Sequence, residues 1–345
     1  MVSRPLLALY SLAHLWVDLS CALLLFGPLS GTPVLYLLLY NFCAFALQMP
    51  LGLAADRLSR CGPLAAAGCC LTALAYLSPL PLPAVLAAGV GNALFHLGGG
   101  TDVLRASGER GAALGIFVSP GALGLYLGTL WALGGSALLW TAPAGLLALA
   151  WAIWLLRRRA APRSKGRSAP PSGGSWAVLP LLLVVVLRSY MGMNQSFAWK
   201  SQGAWALYLT LALALGKTAG GFAMDRLGPR RASAVSLALA GGLYLASALP
   251  LAGTLAVFLF NMTMPVTLWA VARALPGAEG FSFGILTFGL FLGFLPSYLG
   301  WPSLLSGPAA CAAASLLSLA LLYFPLGSLA RPAAGAGGGE GVGDA

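Results

Sequence analysis

The chain has 345 residues, of which 59% are hydrophobic and only 8% are charged, and its mean hydropathy is +0.87. These values exclude an ordinary water-soluble domain, in which about 25% of residues are charged. The formal net charge of +11 would suit a nucleic-acid partner, but the basic residues fall in separate loops between apolar segments, so we expect no such partner.

Apolar segments of roughly 20 residues follow one another along the chain, and each is long enough to cross a hydrocarbon core of about 30 Å as a helix. Helices are expected because lipid cannot satisfy exposed backbone groups. In chain order, the predicted spans are 5–27, 33–55, 63–79, 82–104, 111–133, 136–156, 176–198, 203–224, 231–249, 251–273, 280–299 and 303–324. The predicted fold class is an all-α membrane protein with about twelve transmembrane helices, or eleven because the third span is short.

The first span carries His14 and Asp18, and no clean small-residue cleavage site follows it, so we expect a retained helix rather than a signal peptide. Basic residues fall in alternate loops, and only Lys200 falls on the opposite side. The positive-inside rule predicts that the basic loops and both termini are cytoplasmic, in a plasma membrane or a bacterial inner membrane. The six cysteines have no paired external pattern and are expected to be packing residues.

The stretch at 157–175 is the one long polar segment inside the chain, and it is rich in Arg, Pro, Ser and Gly. This composition is typical of a flexible cytoplasmic linker. It predicts an N-terminal six-helix bundle over 1–156, a C-terminal six-helix bundle over 176–324 and a disordered cytoplasmic tail over 325–345.

A short pattern recurs after the second span of each half, running from Gly52 to Arg60 and again from Gly221 to Arg231. Glycine lets two helices approach closely, and the aspartate of each copy can accept hydrogen bonds from a neighbouring helix end or an arginine. A charged loop that merely fixes topology is the alternative. The predicted cytoplasmic gate consists of Gly52, Asp56, Arg57, Arg60, Asp102, Arg105, Gly221, Asp225, Arg226 and Arg230.

Within that set, Asp102 and Arg105 lie three residues apart near the cytoplasmic end of the fourth span. The spacing is suited to an intrahelical ion pair. We expect a role in the gate or in topology rather than in substrate binding.

The two copies resemble the signature loop of the major facilitator superfamily, G-x-x-x-D-R-x-G-R-[KR], which lies between helices 2 and 3 and is echoed between helices 8 and 9. The first copy departs from it at Ser59 and Cys61, so the second copy matches better. The resemblance implies two six-helix bundles related by a pseudo-two-fold axis, with helices 1, 4, 7 and 10 lining a central cavity.

Four further segments carry a finer resemblance: His14 to Asp18, Gly89 to His96, Ser107 to Phe117 and Leu187 to Ser189. They resemble the fosmidomycin-resistance branch of that superfamily, which implies proton-coupled export of small drugs and antibiotics. The branch commonly has Pro-Glu after the helix 4 histidine, whereas Leu97 and Gly98 stand here, so one cavity carboxylate is missing. The glycine-rich region around Ser119-Pro120 resembles a degenerate antiporter motif.

Few ionisable side chains fall inside the spans, where a charge is costly and usually functional. His14 and Asp18 are four residues apart and therefore share a helix face, where the carboxylate can orient the imidazole. Together with His96, at mid-depth in the fourth span, they are the predicted proton-coupling residues. Structural hydrogen bonding and packing are the alternative roles.

Arg188 lies about halfway along the seventh span, where a guanidinium needs an anionic or carbonyl partner. Pairing with Asp18 across the cavity is one alternative. Lys217 sits in a Gly-Lys-Thr sequence, but the earlier glycine of a phosphate-binding loop is absent; we expect it to snorkel or to pair with a neighbour. The predicted substrate-binding residues are Arg188, Asn194, Gln195 and Asn261.

The sequence thus predicts a secondary transporter rather than an enzyme. We expect a functional monomer in contact with membrane lipid, with a small-molecule substrate and protons as partners and with no cofactor or metal. The leading hypothesis is proton-coupled export, followed by uptake or facilitated diffusion of an organic anion or metabolite, and then by a non-transporting membrane sensor. Metal export ranks well below these because no local spacing fixes a coordination geometry.

Overall fold

The computed structural model describes residues 3–58, 61–134, 139–158, 175–303 and 306–329, and within these ranges the chain forms twelve helical segments and no β-strand. The first six are α1 Arg4–Phe26, α2 Val34–Ala55, α3 Gly62–Ala75, α4 Pro81–Ser107, α5 Ala112–Leu133 and α6 Thr141–Arg158. The second six are α7 Val178–Asn194, α8 Trp205–Leu227, α9 Pro229–Leu245, α10 Pro250–Ala274, α11 Glu279–Tyr298 and α12 Pro308–Leu329.

Over the described ranges, nine of the helices are long and apolar enough to cross a membrane, and α3 is a shorter apolar helix. Several predicted boundaries differ from those of the observed helices. Helix α6 continues through Arg158, so the first two residues assigned to the linker are helical, and α7 ends at Asn194 instead of 198. Helix α12 runs to Leu329, so the predicted tail cannot begin at 325. Residues 159–174 and 330–345 lie outside the described part of the chain.

The helices pack as two bundles, α1 to α6 and α7 to α12, and the two bundles meet along α2 with α11 and along α5 with α8. Close packing within each bundle depends on glycine. A Cβ atom on Gly124 of α5 would overlap the carbonyl group of Leu15 in α1, and one on Gly220 of α8 would overlap that of Met262 in α10. Such close approach suits a membrane protein, since lipid provides no hydrophobic force between helices.

Three of the helices are interrupted along their length. Helix α2 contains a π-helical turn at Phe42–Ala46, α5 breaks at Ser119, and α10 breaks at Met262. The break in α5 has a covalent cause, because Pro120 has no N–H to offer the carbonyl group of Ile116. Backbone carbonyl groups near this break take part in the site described next.

Candidate transport site and the closed basic side

Three ionisable side chains meet inside the N-terminal bundle. The two oxygens of the Asp18 carboxylate face two imidazoles: Oδ2 lies 3.3 Å from His14 Nε2, and Oδ1 lies 3.6 Å from His96 Nε2. The two rings are in edge-to-face contact, with their centroids 4.4 Å apart. The helical spacing of His14 and Asp18 and the neighbouring α4 thus bring together the three residues predicted for proton coupling.

The other ring nitrogens define which form of each histidine the cluster favours. His14 Nδ1 lies 2.7 Å from the carbonyl oxygen of Phe117, and His96 Nδ1 lies 2.9 Å from that of Asn92. A carbonyl oxygen only accepts, so each Nδ1 carries the hydrogen. In a neutral imidazole, Nε2 is then a hydrogen-bond acceptor, and here it faces a carboxylate oxygen that also only accepts. One additional proton on either ring replaces this repulsion with a charge-assisted hydrogen bond.

The surroundings hold the carboxylate in place. Asn92 Nδ2 donates to Asp18 Oδ1 at 3.0 Å and also lies 3.2 Å from the hydroxyl oxygen of Tyr40. Gly121 of α5 packs directly against the cluster, where a Cβ atom would overlap both His14 Nε2 and Asp18 Oδ2. Any larger residue at 121 would therefore displace the cluster.

Among the described residues, these three are also the one group of His, Cys, Asp or Glu side chains close enough to share a metal ion. Their ligand atoms lie within 4.8 Å of one another. Two imidazoles and a carboxylate are a donor set that zinc accepts.

The break in α5 connects this cluster to the other bundle. Three successive carbonyl groups before Pro120 accept side-chain hydrogen bonds. Ser11 Oγ donates to Ile116 at 3.4 Å, His14 Nδ1 to Phe117 at 2.7 Å, and Lys217 Nζ, from α8, to Val118 at 3.2 Å. Of the two predicted alternatives for Lys217, snorkelling and pairing with a neighbour, the structure matches the second, because its ammonium group meets a carbonyl group of the opposite bundle.

A cavity of about 40 Å³ lies among α7, α10 and α11 of the C-terminal bundle and is also contacted by Val118 of α5; Arg188 lines it. Only 7% of Arg188 is exposed, and its guanidinium donates to the hydroxyl oxygens of Thr263 at 3.2 Å and Thr267 at 3.3 Å. Within the described ranges, no carboxylate lies at ion-pair distance from Arg188, so the predicted alternative of pairing with Asp18 is wrong. Most of the remaining lining is apolar, including Val118, Val185, Met264, Leu268, Phe283 and Leu286.

The other three predicted substrate contacts do not line this cavity among the described residues. Asn194, at the end of α7, donates to Tyr190 at 2.8 Å and to Ser297 at 3.1 Å. Gln195 accepts from the hydroxyl group of Tyr244, and Asn261 donates to the preceding turn of its own helix. The polar side chains beside Arg188 are those of Thr263 and Thr267.

The aspartates of the repeated motif cross from one bundle to the other. Asp56, at the end of α2, accepts from the backbone N–H groups of Gly280 at 2.6 Å and Phe281 at 2.9 Å, at the start of α11. Asp225, in α8, accepts in the same way from Gly111 at 2.5 Å and Ala112 at 3.1 Å, at the start of α5. Each carboxylate therefore caps the positive end of a helix in the opposite bundle, where a negative charge is stabilising.

The glycines of the motif make these caps possible. A Cβ atom on Gly52 would overlap the backbone of Gly280, and one on Gly221 would overlap that of Gly111. Burial raises the pKa of the Asp56 carboxyl above its ordinary value, while the N–H groups of Phe281 and Gly280 act in the opposite direction. The side of the molecule that carries the basic loops is thus closed by two related contacts.

Arg105 strengthens the first of these contacts. It lies 3.4 Å from Asp56 and 3.5 Å from Glu279, at the start of α11. The prediction of an intrahelical ion pair between Arg105 and Asp102 is wrong. Asp102 lies within the N-terminal bundle, where Arg157 donates to it at 2.9 Å and Tyr10 donates to it at 2.9 Å.

The remaining predicted gate residues have other positions. Arg57 and Arg226 are exposed, and the guanidinium carbon of Arg230 lies 3.7 Å from the ring centre of Tyr323. Arg60 lies outside the described residues. A further ion pair between the bundles joins Arg273 to Glu109.

Several residues of the site escaped the sequence analysis. Asn92 lies within the segment from Gly89 to His96 that carries the finer resemblance. Its position four residues before His96 places it on the same face of the helix. Gly121 and Pro120 are visible only as parts of a glycine-rich helix. Glu279 and Arg157 carry no local signal, because their partners are distant in sequence.

Two six-helix bundles that are closed at one side by paired acidic caps define a multi-pass membrane protein with the major facilitator fold. Solved structures with this fold include the fucose:proton symporter FucP of Escherichia coli, with a TM-score of 0.67, 15% identity, and coverage of 95% of this chain and 99% of that chain. They also include the human organic anion transporter MFSD10, with a TM-score of 0.65, 18% identity, and coverage of 94% and 100%.

A third is a bacterial homologue of the iron transporter ferroportin in an outward-facing state, with a TM-score of 0.65, 16% identity, and coverage of 94% of this chain and 98% of that chain. No protein-family model and no curated protein matches the sequence. The predicted fold class is confirmed. At these identities the likeness extends to the fold alone.

Proposed function

We propose that this protein is a proton-coupled secondary transporter of small organic molecules. The observation that carries the proposal is the pair of imidazoles whose Nε2 atoms face one carboxylate inside the N-terminal bundle. In transporters of this fold, binding sites near the membrane midplane are exposed alternately to the two sides as the halves rock against each other. The His14, Asp18 and His96 cluster is the proton site of that cycle.

The effect of a proton on the equilibrium between the closed and open forms follows from the protonated and unprotonated states of the cluster. With the basic side closed, one proton held between an imidazole and Asp18 removes the repulsion between acceptors. When the bundles rock, α5 moves relative to α8, and the hydrogen bond of Lys217 to Val118, the residue next to the Phe117 carbonyl group that orients His14, changes. Proton binding and opening are therefore linked, because a ligand shifts an equilibrium by its differential affinity for the two states.

Export is the direction we propose. It rests on the resemblance to the fosmidomycin-resistance branch, on the proline break in α5, and on cytoplasmic placement of the basic loops by the positive-inside rule. Uptake or facilitated diffusion of an organic anion is the second candidate, favoured by the buried Arg188, which has no carboxylate partner within the described ranges.

Proton coupling is tested in everted vesicles loaded with a fluorescent drug panel, with and without a protonophore. Extrusion should depend on the proton gradient, and Asp18→Asn should abolish that dependence. A second variant, Asn92→Asp, replaces the amide that donates to Asp18 with another carboxylate beside it; it should retain gradient dependence with a shifted pH profile. Extrusion that persists unchanged after the gradient is dissipated would refute the coupling.

A further inference from the structure

The cluster of His14, Asp18 and His96 has the donor atoms and the orientation of a metal site. We propose that it binds a divalent transition metal ion, of which zinc is the reference case, through the two imidazole Nε2 atoms and the carboxylate. The sequence analysis expected no metal because no local spacing fixes a coordination geometry. Here tertiary contact between α1 and α4 supplies that geometry. The inference goes beyond the proposed function, because the donor set is present whether or not the cluster couples protons to transport.

The distances between the donor atoms are close to those around a bound ion. Zinc lies about 2.0–2.2 Å from nitrogen and oxygen ligands, so neighbouring ligand atoms of a tetrahedral site are about 3.3–3.5 Å apart. Asp18 Oδ2 lies 3.3 Å from His14 Nε2, and Asp18 Oδ1 lies 3.6 Å from His96 Nε2. One donor atom from each of the three residues falls within 4.8 Å of the others. Small side-chain rotations therefore bring all three to an ion placed between them.

The hydrogen bonds around the cluster orient the donor atoms as metal ligands require. A ligating histidine usually donates its other ring N–H to a carbonyl oxygen or a carboxylate, which fixes the tautomer and turns the free lone pair toward the ion. Both histidines do so, since His14 Nδ1 meets the carbonyl oxygen of Phe117 at 2.7 Å and His96 Nδ1 meets that of Asn92 at 2.9 Å. The side chain of Asn92 holds the carboxylate through its Nδ2 atom. Two unprotonated Nε2 atoms and one fixed carboxylate thus converge on the same point.

Asn92 also offers a fourth ligand. Its Oδ1 atom is buried and has no hydrogen-bond donor among the described residues, which is unusual for a buried amide. Turning the amide by 180° would place Oδ1 where Nδ2 now stands, 3.0 Å from Asp18 Oδ1. An ion can reach the cluster because 22% of the Asp18 side chain is exposed.

The donor types define which ions fit. Two imidazoles and one carboxylate suit zinc and neighbouring transition metals, whereas magnesium and calcium prefer sites made of oxygen atoms. A metal ion and a proton both need the Nε2 lone pairs, so the two ligands exclude each other.

The test uses purified full-length protein in lipid nanodiscs, prepared with a tag that contains no histidine. Zinc, cobalt, magnesium and calcium chlorides are titrated separately at pH 7 and followed by calorimetry. We expect zinc and cobalt to bind with a single ion per chain and magnesium and calcium not to bind. Bound cobalt should show the visible absorption of a four-coordinate ion, because geometry is diagnostic of the ligand set. Replacing the six cysteines should leave this binding unchanged.

Variants place the site within the chain. His14→Gln, His96→Gln and Asp18→Asn each remove a ligand and should weaken zinc binding by at least about a hundredfold, since changes to groups that only orient the ligands already cost about tenfold to a hundredfold. Asn92→Ala should weaken it by about tenfold to a hundredfold. The matched control for the carboxylate is Glu109→Gln, whose side chain is 75% exposed, and it should leave the affinity unchanged.

The inference is overturned if zinc binds no more tightly than magnesium, if replacing the cysteines abolishes binding, or if none of the cluster variants weakens it. The comparison of ions on the unaltered protein does not depend on any variant folding. Zinc binding without gradient-dependent extrusion in the everted vesicles would refute only the proton coupling. Gradient-dependent extrusion by a protein that binds no zinc would refute only the metal site.

Discussion

The two carboxylates that cross between the bundles should set the free-energy difference between the closed and open forms of the basic side. Asp56 accepts two backbone N–H groups of α11, and a hydrogen bond to a charged group contributes about 1.5–3 kcal/mol. Asp56→Asn removes the charge and replaces one acceptor oxygen with an NH₂ donor facing an N–H group. We expect it to disfavour the closed form by about 2–3 kcal/mol, or about 30- to 150-fold in the closed-to-open ratio.

Asp225 makes the related contact but is more exposed, and solvent screens its interactions. Asp225→Asn should therefore cost less, about 1–2 kcal/mol. The two contacts join different helix pairs and share no partner, so their effects should add in the double variant. A double variant no more open than Asp56→Asn alone would show that one contact controls the gate.

The gate can be followed by pulsed electron paramagnetic resonance between spin labels at Leu58 and Leu227. These exposed positions lie beside the ends of α2 and α8, in different bundles. The six native cysteines are replaced in the labelled background. Asp56→Asn should transfer population to the longer distance, whereas Arg231→Gln, an exposed charge change at the start of α9, should not. An unchanged distance distribution in both aspartate variants would refute the role of these caps.

Three other substitutions test the packing around the site. Gly121→Ala should abolish gradient-dependent flux because its Cβ atom would displace the imidazole and carboxylate beside it, whereas Gly31→Ala, with nothing within 4 Å, should leave flux unchanged. Gly220→Ala should lower the melting temperature in nanodiscs because it separates α8 from α10, and Gly242→Ala, also in open space, should not; equal melting temperatures would contradict the packing. Arg157→Gln removes the buried ion pair with Asp102 and should destabilise the fold by about 3–5 kcal/mol, measured by chemical unfolding.

Much of the architecture follows from the sequence because each constraint is local. A span needs about 20 apolar residues regardless of its neighbours, and the spacing of His14 and Asp18 places them on one helix face regardless of the bundle. The two motif copies predict a gate because their chemistry requires a partner at a helix end. The motif copies do not identify that partner, because the N–H groups of Gly280 and Gly111 are backbone groups that any residue except proline can supply.

The errors arise where a polar side chain has several possible partners. Asp102 has Arg105 nearby in sequence, but its carboxylate is deeply buried, and Arg157 reaches it from α6. Asn194 and Gln195 follow Arg188 closely along the chain, yet they lie at the end of α7, where other helices satisfy them. Sequence distance along a helix does not determine depth in the cavity, and tertiary contacts decide which polar groups face it.

The interrupted α5 connects the proton cluster to the opposite bundle. Phe117 and Val118 are adjacent, and their carbonyl groups accept from His14 of the proton cluster and from Lys217 of α8. If Lys217 moves away from Val118, the turn of α5 that orients His14 loses this contact with the opposite bundle. Because Pro120 already removes one helical hydrogen bond from this turn, a small shift there costs less than it would in an intact helix. The coupling of bundle movement to the proton then requires only the movement of one turn of α5.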